Sequence, residues 1–339
     1  MVFRGQTLGK YRILEPLGSG GFGTVYLAED TWIDKRVALK VPHRQGLDFG
    51  ELLREPRLLA SLSHPNIVTV ITAEKQDNVF FIVMEYVQGD TLENLIAVKG
   101  GLDLGTALDY TCQICNAVDH AHKQGVLHRD LRPANVFVSD KGLLKVGDFG
   151  TSRILEVAAH GTTVIGSPPY MAPEQFEGRA VFASDLYSLG VTMYQMLTGG
   201  LPYDTPAPSD LERLRRGELA QPLRLRNPSV PVVIESIVMR AMAPDVASRY
   251  QRAEDLLNDL LNARRELPRR TPAESPSVSA PGSAVAARPP LPPRAPAART
   301  PALPKTPRTR DASASRFCWQ CRKPLPARAL RCPFCGEQQ

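Results

Sequence analysis

Four glycines lie between two stretches of β-strand character near the start of the chain, in the run Gly18-Ser19-Gly20-Gly21-Phe22-Gly23-Thr24-Val25. This run fits the pattern G-x-G-x-x-G-x-V, in which glycine lets the backbone approach phosphate groups closely and adopt positive φ. Dinucleotide-binding folds use a similar glycine turn, but a helix follows it there. Here Thr24-Val25-Tyr26-Leu27 continues as a strand. The run therefore predicts a phosphate-binding loop between two strands.

Three further polar motifs follow this loop in order. Lys40 ends the run Val37-Ala38-Leu39-Lys40 on the third predicted strand. The run His128-Arg129-Asp130-Leu131-Arg132-Pro133-Ala134-Asn135 fits H-R-D-L-x-x-x-N, and Asp148-Phe149-Gly150 begins 13 residues after Asn135. Any one of these motifs is weak evidence, whereas four in this order are specific. Carboxylates, an amide, a lysine and backbone donors supply the charge neutralisation and positioning that phosphoryl transfer needs.

On these motifs the chain resembles the eukaryotic-type protein kinase family, including its many bacterial members, over residues 11–264. The resemblance implies an α+β, bilobal fold, with a small β-rich N-lobe before a larger helical C-lobe. It also implies that Lys40 holds the α- and β-phosphates of ATP and pairs with Glu55 on a helix, with Glu51 as the weaker alternative. Pro56, next to Glu55, departs from the family pattern.

The resemblance assigns the remaining catalytic roles residue by residue. Asp130 would accept the proton of the substrate hydroxyl or orient that hydroxyl. Asn135 and Asp148 would bind Mg²⁺, for which Mn²⁺ is a substitute. Most Ser/Thr kinases carry lysine where Arg132 stands, and that lysine touches the γ-phosphate. Arginine keeps the charge but is bulkier and forked, so we expect an active enzyme with reduced turnover.

The adenine pocket is also implied by the resemblance. Met84 would stand beside the adenine as the gatekeeper, while the Glu85 carbonyl and the Val87 backbone would hydrogen-bond the base. Three apolar side chains would sandwich the ring: Val25, Ala38 and Phe137. Plain core packing would favour the same apolar residues, and the two interpretations are compatible.

The substrate class and the regulation follow from two further segments. Some tyrosine kinases carry arginine near position 132, but Pro133 and the run 166–174 resemble the corresponding segments of Ser/Thr kinases. Arg129 precedes the catalytic aspartate, and kinases with this arginine often capture a phosphate on the activation loop. We therefore predict autophosphorylation at Thr162 or Thr163. The alternative is an exposed polar loop without modification.

Structural partners are implied as well. Glu174 matches the buried glutamate that pairs with a late arginine, here Arg249. Asp185 matches the aspartate that anchors the backbone of the catalytic loop. Four residues match the positions that the family stacks as a regulatory spine: Leu59, Val70, His128 and Phe149.

Beyond the predicted kinase domain the composition changes. Residues 268–317 hold 12 of the 30 prolines, and residues 265–339 carry a net charge of +10 (14 Lys/Arg against 4 Asp/Glu). A segment with so little apolar periodicity does not bury enough surface to offset its ordering entropy. We predict a kinase domain at 11–264, a disordered Pro/Ala/Arg-rich linker at 265–316 and a further module at 317–337.

The six cysteines form three C-x-x-C pairs. Cys318, Cys321, Cys332 and Cys335 have zinc-ribbon spacing, which predicts a closed structural Zn²⁺ site. Such ribbons bind proteins or nucleic acid, or cap a tail. Cys112 and Cys115 lie on the apolar side of a predicted helix and are interpreted as small buried hydrophobic residues. No apolar run is long enough for a transmembrane helix or a secretory signal, which predicts a cytoplasmic protein.

Three functional hypotheses remain at this point. The first is an active Ser/Thr protein kinase that acts on protein substrates. The second is a pseudokinase scaffold that binds ATP and recruits partners through the linker and zinc ribbon; retention of the motif residues argues against it. The third is a nucleic-acid-binding protein that acts through the basic tail, and it leaves residues 11–264 unexplained.

Overall fold

The computed structural model describes residues 3–20, 23–43, 59–149 and 167–266, together with two short strands at 316–317 and 324–325. The chain divides into two compact units, Met1–Pro272 and Ala273–Gln339. Within the described residues, no helix is both long enough and apolar enough to cross a membrane.

The first unit begins with a six-stranded antiparallel sheet in the order β1-β2-β3-β4-β6-β5. Alternating apolar residues turn one face of the sheet inward, where Leu8, Tyr11, Leu39 and Phe81 are buried. The strands are β1 (Thr7–Leu8), β2 (Tyr11–Gly20), β3 (Gly23–Asp30), β4 (Lys35–Pro42), β5 (Val70–Gln76) and β6 (Val79–Glu85).

This sheet is curled. The ring of Tyr11 on β2 packs edge-on against the ring of Phe81 on β6, with centroids 5.9 Å apart. The Tyr11 hydroxyl donates to Glu74 Oε1 on β5 at 3.2 Å. Strands that are far apart in the strand order therefore meet through their side chains.

Strand β5 begins later in the chain than the sequence predicts. A strand is predicted over Ile67–Ala73, but β5 spans Val70–Gln76. Ile67 is buried and instead forms a parallel bridge to Val146, so its apolar side chain serves the packing between the two lobes. Asp77 and Asn78 close the β5–β6 hairpin with φ of 49° and 62°, as a two-residue turn of the I′ kind requires.

A helical lobe with its own small sheet follows. The small sheet has the order β7-β8-β9, with strands β7 (Gly89–Thr91), β8 (Val136–Ser139) and β9 (Leu144–Val146). The helices are α1 (Leu92–Lys99), α2 (Leu104–Lys123), α3 (Phe182–Thr198), α4 (Leu211–Arg215), α5 (Leu223–Arg226), α6 (Val232–Ala241) and α7 (Ala253–Glu266). The predicted α+β, bilobal fold is confirmed for this unit.

Two long helices form the core of this lobe. Helix α2 begins after Asp103, whose side chain accepts from the Thr106 amide at 3.0 Å, and its apolar face packs against α3 and α7. Cys115 is fully buried on this face and Cys112 half-buried, and burial raises the pKa of both thiols. They are small apolar core residues, as predicted. Helix α3 is buried along nearly its whole length.

The second unit contributes one described feature. Strands β10 (Arg316–Phe317) and β11 (Pro324–Leu325) pair antiparallel, with Phe317 opposite Pro324. The four C-terminal cysteines lie outside the described residues.

Candidate active site

One buried carboxylate fixes the backbone of the segment between α2 and β8. Asp185 on α3 accepts from the backbone amides of His128 and Arg129, both at 2.8 Å, and lies 2.8 Å from His122 Nε2. Burial alone would raise the pKa of Asp185, but the hydrogen bond from His122, the electrostatic influence of His122 and His128, and the His128 amide hold this pKa below its ordinary value. The predicted anchor of the loop is confirmed.

The anchored loop brings two polar side chains together. Asn135 Nδ2 donates to the Asp130 carbonyl at 2.8 Å and to Asp130 Oδ2 at 3.2 Å. Pro133, buried at the start of a short 3₁₀ turn, fixes the backbone between them. The Asn135 carbonyl accepts from the Gly147 amide at 2.8 Å. The loop is thereby joined to the residue that precedes Asp148.

An ion pair links the two lobes next to this loop. Lys40 Nζ on β4 lies 2.7 Å from Asp148 Oδ1, and the lysine side chain is only 7% exposed. Burial alone would raise the pKa of Asp148, but the charge and hydrogen bond of Lys40, with a smaller electrostatic contribution from His128, lower it overall. Asp148 also has a left-handed φ of 59°, a conformation that costs energy and often marks functional sites.

Asn135 and Asp148 line a cavity of about 440 Å³ between the sheet and the helical lobe. Ten of the predicted site residues line it: Gly18, Ser19, Val25, Ala38, Met84, Glu85, Val87, Asn135, Phe137 and Asp148. Seven others that line it were not predicted: Leu17, Val68, Tyr86, Thr91, Glu93, Ala134 and Gly147. The lining is mostly apolar with a few polar groups, as is usual for small-ligand sites.

The chain matches the protein kinase domain family over residues 11–274. It belongs to the protein kinase family. It is 38% identical over 263 residues to the serine/threonine-protein kinase PrkC of Bacillus subtilis, covering 75% of this chain and 40% of that protein. It is 35% identical over 270 residues to a probable serine/threonine-protein kinase of Clostridium perfringens (77% and 39%). It is also 35% identical over 259 residues to the probable serine/threonine-protein kinase PknB of Lactococcus lactis (74% and 41%). The chain thus spans about 40% of the length of these curated relatives.

Strand packing requires glycine at one position of the glycine-rich run and not at two others. A Cβ added to Gly23 would lie 2.5 Å from the Val41 carbonyl oxygen, so the close pairing of β3 with β4 requires glycine there. Among the described residues, a Cβ on Gly18 or Gly20 would meet nothing within 4 Å. Strand packing therefore does not explain these two glycines.

Lys40 borders a second, smaller space of about 20 Å³, which shares Asp148 with the main cavity. Leu59, Val70 and Phe149 line it, and the rings of Phe149 and His128 lie 4.6 Å apart. The four residues predicted to stack as a spine are thus close to one another in the described structure.

Arg132 makes two contacts at the mouth of the cavity. Its Nη1 donates to Ser167 Oγ at 3.0 Å, and its Nη2 lies 3.9 Å from Glu93 Oε1. Through these two contacts, the guanidinium bridges the segment after residue 166 and the start of α1. Nearby, Tyr170 is buried against α3, and this burial raises the pKa of its hydroxyl to about 12.

The segment that follows is fixed by the predicted buried pair. Arg249 donates through Nη1 and Nη2 to the two oxygens of Glu174, at 2.7 and 2.8 Å. The arginine side chain has no exposed surface, and Ser184 Oγ donates to Glu174 at 2.6 Å. This fork-to-fork arrangement is confirmed, and it ties residues 173–177 to the end of the domain.

Several predicted residues have no described position. Glu51, Glu55, Pro56, Gly21, Phe22, Thr162, Thr163 and the cysteines at 318, 321, 332 and 335 all lie outside the described residues. Among the residues that the structure describes, no group of three His, Cys, Asp or Glu side chains is arranged to hold a metal ion.

Proposed function

We propose that this kinase domain transfers the γ-phosphate of ATP to serine and threonine hydroxyls of proteins. The observation that carries the proposal is the Lys40–Asp148 ion pair beside the Asn135–Asp130 contact, since Asp148 and Asn135 both line the cavity. Pro133 and the run 166–174 favour Ser/Thr over Tyr, and the names of the curated relatives agree.

The residues present fit the Mg²⁺ that the family implies. Asn135 uses its amide nitrogen on Asp130, and within the described residues no donor contacts its amide oxygen. That oxygen and the ionised Asp148 carboxylate are ligands that Mg²⁺ prefers. When bound, Mg²⁺ supplies positive charge against the phosphates.

The chain's own groups supply the rest of the chemistry. Lys40 carries positive charge to the α- and β-phosphates, and the β2–β3 hairpin covers them. The substrate hydroxyl oxygen bonds to the γ-phosphorus as the bond from that phosphorus to the bridging oxygen breaks and ADP leaves. Asp130, steadied by Asn135, receives the hydroxyl proton.

A phosphotransfer assay on the purified protein with Mg²⁺-ATP tests this function. We expect wild type to label itself or a generic protein substrate, and Asp148→Asn to do so at least about 100-fold more slowly, because one charge at the transferring phosphate is lost. Equal rates for the two proteins contradict the proposal. Nucleotide binding without transfer would instead establish the pseudokinase alternative.

Autophosphorylation of the activation loop is part of the proposal. Arg129 next to Asp130 supports it by supplying a cation that pairs with phosphate in such loops. Incubation with ATP followed by phosphopeptide mapping should place phosphate on Thr162 or Thr163. Absence of phosphate from residues 151–167 contradicts this part alone.

A structural zinc ribbon at 317–337 is proposed from cysteine spacing. The pairing of β10 with β11 supports it, because this hairpin brackets Cys318 and Cys321. Metal analysis should find one zinc per chain, lost in Cys332→Ser. We further propose that the ribbon and the basic linker before it bind a protein or nucleic-acid partner, and that the protein acts in the cytoplasm.

A further inference from the structure

A lysine outside every recognised motif contacts the connection between the two lobes. Lys145 on β9 donates to Glu85 Oε1 at 2.7 Å and to the Ile67 carbonyl at 3.3 Å. The side chains of Lys145 and Glu85 are 16% and 27% exposed. A partly buried ion pair of this kind is screened less by solvent than a surface pair.

The same glutamate is held from a second side. Its Oε1 also accepts from the Thr69 amide at 2.7 Å, and its own amide donates to the Thr69 carbonyl at 3.0 Å. Glu85 is the last residue of β6, where the sheet ends and the chain crosses to the helical lobe. One carboxylate therefore joins the segment before β5, the end of β6 and strand β9.

The position of Lys145 connects this contact to the cavity. Lys145 is the register partner of Phe137 on β8, so both side chains stand on the same face of the small sheet, and Phe137 lines the cavity. Asp148 follows Lys145 by three residues. A shift of β9 would thus move both the floor of the cavity and its acidic end.

We propose that Lys145 is a positioning residue for the nucleotide. By holding the Glu85 carboxylate, it keeps the backbone groups of Glu85 and Val87 facing the base. This role rests on the proposed ATP-binding function, and Lys145 belongs to none of the sequence motifs that indicate that function. Without Lys145, the Thr69 amide is the one remaining described partner of the carboxylate, and the connection after β6 loses its tie to β9.

The test compares Lys145→Met with Lys141→Met in the full chain. Lys141 is an exposed lysine in the β8–β9 turn, and within the described residues its side chain makes no contact, so the control makes the same change in charge. The Kd of ATP and GTP is measured by calorimetry, and KM for ATP and kcat by phosphotransfer. We expect Lys145→Met to weaken ATP binding and raise KM about tenfold, the loss typical of one charge-assisted hydrogen bond, with kcat within about twofold.

Base selectivity separates positioning from simple destabilisation. A misplaced backbone lowers the ratio of ATP to GTP affinity, whereas partial unfolding weakens both nucleotides equally. Lys145→Arg, which restores the donor, should return the ratio to within about threefold of wild type. If Lys145→Met does not fold, Glu85→Gln provides the second variant, because it removes the charge but keeps an acceptor for the Thr69 amide.

The outcomes are distinct. Wild-type ATP affinity in Lys145→Met overturns the inference and leaves the proposed function standing, as does tighter binding or a faster reaction. A wild-type protein that binds no ATP overturns the proposed function itself. A shift seen equally in Lys141→Met shows a general charge effect and also overturns the inference.

Discussion

At the scale of single residues, Arg132 is the departure from the family pattern that the fold accommodates. Its forked guanidinium contacts Ser167 with one nitrogen and approaches Glu93 with the other. A lysine has one compact charge at the end of a flexible chain and does not reproduce this planar fork. Ser167 and Arg132 therefore form a hydrogen-bonded pair.

We predict that Arg132→Lys lowers turnover instead of restoring it. Because the fork loses one of its two contacts, kcat should fall about tenfold, while KM for ATP should change by less than about twofold. Steady-state phosphotransfer measures both. Adding Ser167→Ala to the variant should cost little more, since the two residues act as a unit. A faster Arg132→Lys enzyme would contradict this account.

Residues with a motif were predictable, and residues without one were not. Asp185 and Glu174 were placed correctly because each sits in a recognisable run around a required buried charge. Lys145 was missed, since a lysine in a three-residue strand has no distinguishing pattern until the fold brings Glu85 to it. Glu93 was missed for the same reason.

At the scale of elements, the cap of α2 is the feature with a clear energetic consequence. The Asp103 side chain accepts from the Thr106 amide, and the hydrogen bonds that it accepts hold its pKa below the ordinary value. This helix carries the core face against α3 and leads into the catalytic loop. Fraying at its start therefore weakens the lobe's main packing surface.

We predict that Asp103→Ala lowers the free energy of unfolding by about 1 kcal/mol at neutral pH. The matched control is Asp103→Asn, which keeps a capping oxygen and should lie within about 0.5 kcal/mol of wild type. Chemical denaturation monitored by circular dichroism measures both. Equal losses in the two variants would show that the charge, and not the cap, is responsible.

The long elements were predictable because their apolar periodicity extends over many residues. The apolar pattern predicts strands over 11–17, 24–29 and 36–41, a long helix from about residue 104 and a second over 184–198, and β2 to β4, α2 and α3 lie close to these ranges. Strand β7 and the short helices α4 and α5 were not predicted. A helix of four or five residues is not stable by itself and forms where tertiary contacts fix it. It is also too short to show a recognisable apolar period in the sequence.

At the scale of the whole molecule, the buried Arg249–Glu174 pair ties the end of the domain to the segment beyond the activation loop. Burial alone would raise the pKa of Glu174, but the hydrogen bonds from Arg249 and Ser184 lower it below the usual 4.5. A carboxylate whose pKa is depressed in the folded state stabilises above its unfolded pKa. That stabilisation disappears as the pH falls through the folded pKa.

We predict that Glu174→Gln costs about 3–5 kcal/mol of stability at pH 7, because it leaves the Arg249 charge buried without its partner. The deficit should shrink as the pH falls below about 4.5, the ordinary pKa of this carboxyl in the unfolded chain, and should be lost as the pH passes the lower folded pKa. Urea unfolding at a series of pH values measures it. Glu212→Gln, which breaks an exposed pair with Arg216, is the control and should cost less than about 1 kcal/mol.

The curl of the six-stranded sheet affects the tendency of the protein to aggregate at high concentration. An open sheet ends in two strands whose outer backbone groups are templates for a neighbouring chain. Here one end strand, β1, is two residues long, and the other, β5, carries Glu74 and Lys75. The Tyr11–Glu74 hydrogen bond draws β5 towards β2. Strand addition between molecules, the first step of β-aggregation, is therefore discouraged at both ends by short length, charge and curvature.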